Sequence, residues 1–236
     1  MNKTGFIIYH DTDTDNCNKL IAALGTNDTI VVNDKNSNTF PCVTRTYRGG
    51  KKYFAACVND GLREMSKRGY EHIFIIRDTT FVPDNNFIDG YIKCFNHTGN
   101  HILFNFHKPK YEFDYKDTVL CVNDRLFKHF FYVNINCIKQ VGYLDEKYED
   151  TFEVLDYYYR LYNKGLTGPI GYFAAPNTQF FDTMATGDFG DEDMLLRGLK
   201  LFRVKYGYTP VELPLLSMNE ASQTFQKLYT RFVNKT

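Results

Sequence analysis

Along the first third of the chain, apolar residues gather in short unbroken runs bounded by polar or glycine positions. Phe6-Ile7-Ile8-Tyr9, Ile30-Val31-Val32 and Ile73-Phe74-Ile75-Ile76 are such runs, as expected of strands buried on both faces of a sheet. Between them the period changes. Phe54, Cys57, Val58, Gly61, Leu62 and Met65 recur at i, i+3, i+4, i+7, i+8 and i+11, which predicts an amphipathic helix from Lys51 to Arg68, stopped by Gly69. Leu20, Ile21 and Leu24 mark an earlier helix, capped by Asp13, Thr14 or Asp15 and ended by Gly25. A third short strand is expected from Cys42 to Thr46, ahead of the pair Gly49-Gly50. This alternation of strand and helix builds a parallel sheet with right-handed crossovers.

The later pattern is less regular. It predicts a helix over 86–95, strands over 101–106, 118–122 and 130–133, and one short helix over 134–141. A helix capped by Thr151 runs to Tyr162, with Phe152, Leu155, Tyr159 and Tyr162 on its buried side; Glu153, Asp156 and Arg160 are spaced so that their charges can meet. Positions 167–190, rich in Gly, Pro, Asn and Thr, read as one long loop of the kind that forms lids. Helices are expected again over 191–205 and 219–233.

Composition narrows the class. At 236 residues, with 43% hydrophobic and 17% aromatic residues, the chain can bury a full core; its net charge of zero gives no electrostatic argument for nucleic acid or an anionic membrane. Six scattered cysteines without a C-x-x-C pair read as reduced thiols. No apolar run reaches the length of a signal core or a membrane span, so the expected location is cytoplasmic.

Candidate chemistry begins where the third apolar run ends. Arg77-Asp78-Thr79-Thr80, closed by Pro83, puts a carboxylate and hydroxyls at a strand's carboxyl end, where ligands bind in open α/β sheets. An ordinary strand-to-turn exit uses the same residue types. Val31-Val32-Asn33-Asp34-Lys35-Asn36-Ser37-Asn38 repeats the arrangement after the second run, and Ala55-Ala56-Cys57-Val58-Asn59-Asp60-Gly61 is a helix of small residues. Further on stand Gly142-Tyr143-Leu144-Asp145-Glu146-Lys147-Tyr148, then Glu153-Val154-Leu155-Asp156-Tyr157 with Arg160, and finally Leu201-Phe202-Arg203-Val204-Lys205-Tyr206-Gly207.

In this order, across about residues 5 to 210, these segments resemble the family 2-like nucleotide-sugar glycosyltransferases of GT-A fold. The resemblance implies one α/β domain with a doubly wound, mostly parallel (mixed) sheet flanked by helices. Residues 1–83 would form the nucleotide-binding half, 84–210 the acceptor half and 211–236 a helical extension. It implies transfer of a sugar, with inversion, from a nucleotide-diphosphate donor to a hydroxyl of a glycan or other acceptor. Asp34 would hold the nucleoside. His10, Asn59, Arg77, Asp78 and Lys205 would line the donor site, and Asp78 with Thr80 would hold Mn²⁺ or Mg²⁺. Glu153, with Asp150 as a substitute, would take the acceptor proton, and Asp145, Glu146, Asp156 and Arg160 would form the acceptor side.

Three departures from the pattern stand out. Arg77-Asp78-Thr79-Thr80 carries one carboxylate where the family has two, and Val154 occupies the second place of the acidic pair. No histidine follows His129, so the late histidine that completes the metal site in many GT-A enzymes has no candidate. A degenerate module that binds a glycan, nucleotide or protein without turnover is the alternative. A nucleotidyltransferase is a third reading, and it would show a glycine-rich loop where this chain has His10-Asp11-Thr12-Asp13.

Overall fold

The computed structural model describes residues 3–10, 14–25, 28–33, 53–82, 85, 87–104, 111–115, 118–122, 130–148, 152–167, 172–173, 181–182 and 192–207. The strand expected at 42–46, the glycines 49 and 50, the final helix at 219–233, Thr151, Asp34 and Asp150 lie outside them.

In chain order the elements are β1 (Thr4–His10), α1 (Thr14–Leu24), β2 (Thr29–Asn33), α2 (Phe54–Lys67), β3 (His72–Arg77), β4 (Thr80–Phe81), α3 (Phe87–Thr98), β5 (Ile102–Phe104), β6 (Tyr111–Tyr115), β7 (Thr118–Val122), β8 (Phe130–Asn134), α4 (Ile138–Val141), α5 (Glu153–Asn163), β9 (Tyr172–Phe173), β10 (Phe181–Asp182) and α6 (Glu192–Tyr206). Five strands form one sheet in the order β2-β1-β3-β8-β5. β1 pairs parallel with β2 and with β3, while β8 runs antiparallel to both β3 and β5. The sheet is therefore mixed, and a strand from the second half of the chain is built into its centre. β6, β7 and β9 form a separate antiparallel sheet, and β4 pairs with β10.

Strand alternation divides the core in two. Ile7, Tyr9, Ile73 and Ile75 face α2 and α5, whereas Phe6, Ile8, Phe74 and Ile76 face α1 and α3. Both faces of the sheet are covered, which is why the strands read as continuous apolar runs rather than alternating ones. Gly61 shows how close α2 lies: a Cβ there would stand 2.9 Å from Ile7 Cγ2, so the glycine is required by packing.

The helices share a direction that matters for the site. The ring of Phe54, at the start of α2, lies 5.1 Å from that of Tyr9 at the carboxyl end of β1. Just beyond the end of α5, Leu166 O accepts from His101 N at 2.9 Å, at the opposite edge where β5 begins. Both helices thus aim their amino ends, the positive ends of their dipoles, toward the carboxyl edge of β1, β2 and β3.

The structure corrects several sequence expectations. The segment 134–141 is not one helix: Ile135–Cys137 is a 3₁₀ turn leading into α4. The N-cap of α5 is Phe152, which makes no side-chain cap bond. Its buried side is nearly its whole circumference, since Glu153 through Tyr159 and Leu161 are all buried; a stripe of four apolar residues understated how deeply the helix sits between the sheet and α6. The expected loop at 167–190 contains β9 and β10, strands too short for periodicity to register.

Candidate functional site at the sheet edge

β1 and β3 end side by side, with Tyr9 in register with Arg77. The chain then turns sharply, and Asp78 N donates to Tyr9 O at 2.9 Å. Asp78 is fully buried and His10 is only 4% exposed. His10 Nδ1 meets Asp78 Oδ2 at 2.8 Å; a carboxylate only accepts, so the ring nitrogen donates and the imidazole tautomer is set. From the first turn of α1, Asn16 Nδ2 donates to Asp78 O and, at 3.0 Å, to Thr80 O. That amide pins the turn from the α1 side. Thr79 and Thr80 are buried as well. Arg77 has the opposite strand parity, and its guanidinium carbon lies 6.0 Å from the centre of the Tyr9 ring on the α2 side. At β2 the corresponding end residue is Asn33, in register with His10.

A second polar group lies outside α5. Asp156, also fully buried, accepts from Arg160 Nε at 2.9 Å and from Tyr148 OH at 3.3 Å, is hydrogen-bonded by Tyr206 OH, and pairs with Lys205 Nζ at 2.7 Å. Lys205 also donates to Asp145 Oδ2 at 2.8 Å. Arg160 donates further to Val141 O and to Tyr143 O. Burial works to raise the Asp145 pKa, but the bond and charge of Lys205 with the Lys147 N–H outweigh it and hold the carboxyl below its ordinary range. Burial and the neighbouring Asp156 push the Tyr148 and Tyr206 hydroxyls well up, so both stay protonated donors.

Asn59 links this group to the core helix. Its side chain donates to Leu144 O and to Glu146 Oε1, each at 2.9 Å, and accepts from Leu144 N at 3.0 Å. It therefore stitches 144–146 onto α2. Glu153 is fully buried in the first turn of α5.

The structure thus brings His10, Arg77, Asp78 and Thr80 together at the sheet edge. Asp145, Glu146, Asp156, Arg160, Asn59 and Lys205 form a second cluster on the α2, α5 and α6 side. Asn16 was missed by sequence reasoning. One asparagine in a polar run carries no periodic signal, although its place just inside a helix that follows a buried strand was available to be read.

No family model and no curated protein matches the sequence. Solved structures do match. TarS of S. aureus superposes over 98% of this chain with a TM-score of 0.54 at 12% identity, and the chain spans 43% of that protein. The fold is GT-A. The catalytic domain of Drosophila β1,4-galactosyltransferase 7, solved with xylobiose, is also similar: 83% of this chain and 80% of that one, TM-score 0.46, 13% identity. A further structure of the fly enzyme holds manganese, UDP-Gal and xylobiose, with 83% of this chain and 79% of that one covered, a TM-score of 0.44 and 13% identity.

The metal that the GT-A resemblance implies can be tested against the residues in place. A hard divalent cation takes six or more oxygen ligands. Among the side chains described, the edge supplies one carboxylate, that of Asp78, one of whose oxygens is taken by His10, with a guanidinium as the preceding residue; Asp182 of β10 is in register with Thr80. Among the described residues no group of three or more His, Cys, Asp or Glu is placed to hold a metal ion. The donor set described at this edge does not by itself fit a divalent cation. Among the same residues no helix is long and apolar enough to cross a membrane.

Proposed function

We propose that the chain transfers a sugar from a nucleotide-diphosphate donor to an acceptor hydroxyl. The observation that carries the reading is the buried His10–Asp78 pair at the carboxyl edge of parallel strands in a GT-A fold. A buried, hydrogen-bonded charge at a ligand-binding edge has no packing rationale and costs desolvation energy. In this reading Asp34, the residue after β2, holds the nucleoside, and Arg77 faces the diphosphate, with His10, Asp78 and Thr80 building the turn that carries it. With inversion, the acceptor oxygen bonds to the anomeric carbon as the bond to the diphosphate oxygen breaks, and the acceptor proton passes to Glu153 or Asp150. The positive amino ends of α2 and α5 favour the leaving diphosphate's charge. The nucleotide half is residues 1–83, with the acceptor half following.

A binding module without turnover is the second reading to be tested. Asp145, Asp156, Arg160 and Lys205 are engaged with one another, and Glu153 is fully buried, whereas a general base must touch the acceptor hydroxyl. Incubating the chain with UDP- and GDP-sugars separates the two. Donor hydrolysis or transfer that is lost in Glu153→Gln supports the enzyme; nucleotide binding without turnover across common sugars supports the module.

A further inference from the structure

We propose that this chain holds its nucleoside diphosphate without a divalent cation, with Arg77 as the phosphate-binding group and the His10–Asp78 pair positioning it. The inference rests on the nucleotide-site reading above and departs from the metal chemistry that the GT-A resemblance implies.

Three observations converge on it. The carboxylate that would have to grip a metal is instead bonded through Oδ2 to His10 Nδ1 at 2.8 Å, inside a turn where both residues are buried. Hydroxyls stand where the resemblance expects the second acid, and the residue before Asp78 is an arginine. An arginine at this edge adds a positive charge that disfavours a dication and attracts a diphosphate. Finally, the backbone on both sides of Arg77 is fixed. Tyr9 pairs with it in register, Asp78 N is held by Tyr9 O, and Asp78 O is held by Asn16. From this anchored position the guanidinium carbon lies over the Tyr9 ring, 6.0 Å from its centre. A planar fork of N–H donors matches two phosphate oxygens at once, and a guanidinium keeps its charge at any working pH. Asp78 then acts on Arg77 through the backbone: His10 and Asn16 lock the turn, and the turn sets where the arginine points.

The test is the thermal midpoint of the full chain titrated with UDP or GDP, each in Mn²⁺ and in EDTA. The expected result is an equal rise in both media for at least one nucleotide. In Arg77→Gln its affinity falls about tenfold or more in both media, the scale of a lost charge-assisted hydrogen bond, and Arg77→Lys restores part of it. A rise seen only with Mn²⁺ overturns the inference while leaving the nucleotide site standing. No rise in any medium removes both. Wild-type affinity in a folded Arg77→Gln also overturns it, and the comparison of Mn²⁺ with EDTA on the unaltered chain requires no variant to fold.

Discussion

Asp78 and Asp156 are both fully buried, yet their surroundings differ in kind. Asp156 is met by a guanidinium, an ammonium and two phenol hydroxyls, contributed by α5, α6 and the segment before α5. Asp78 is met by an imidazole at the open end of two strands, and the amide that braces it engages backbone oxygens rather than the carboxylate. A carboxylate surrounded by permanent charges from several elements is cement. One bonded to a single imidazole at a sheet edge sits in a turn that α1 braces through the backbone.

Removing the cement produces the largest expected effect. Asp156→Ala strands Arg160, Lys205 and the hydroxyls of Tyr148 and Tyr206, and should cost about 3–5 kcal/mol in urea unfolding. Lys205→Met, which releases one corner of the same cluster, should cost about 2 kcal/mol. Asn16→Ala should cost about 1 kcal/mol through two lost bonds to the 78–80 turn. Asp78→Asn should stay within about 1 kcal/mol of the parent, because the amide oxygen still accepts from His10 Nδ1 while the cost of desolvating a carboxylate is removed. If Asp78→Asn proves as costly as Asp156→Ala, the distinction between the two aspartates collapses.

Much of this contrast was legible in the sequence, and its limits have physical causes. The runs at 6–9, 30–32 and 73–76 announced strands covered on both faces, and the stripe from Phe54 to Met65 announced α2, because long periodic segments report burial directly. The Arg77-Asp78-Thr79-Thr80 tip was visible for the same reason: it ends a buried strand. What spacing could not show is depth. Glu153, Asp156 and Arg160 have the spacing of an exposed ion ladder on an isolated helix, and only the docking of α6 through Phe202, Lys205 and Tyr206 turns that ladder into a buried cluster. β9 and β10 escaped notice because two residues make no pattern.

A third buried polar pair, at the opposite edge of the sheet, gives the smallest effect and serves as a control. His72 Nδ1 lies 2.7 Å from Tyr132 OH, in the apolar layer between the sheet and α3. Burial lowers the pKa of His72, and likewise that of His101, from 6.5. The folded state therefore resists protonation while the unfolded chain accepts protons near pH 6.5. Stability from this source is complete above 6.5 and declines as pH falls toward the lowered folded values. Asp145 adds a separate step: its folded pKa is held below 3.8, so its contribution is complete above 3.8 and is lost only as the pH falls further. Urea midpoints across the acid range should show the histidine step first and the carboxylate step second. His72→Phe should shrink the first step alone, and Lys205→Met the second alone. A Lys205→Met curve that changes near 6.5 instead would mean that the α6 cluster and the sheet core do not unfold as the independent electrostatic units described above.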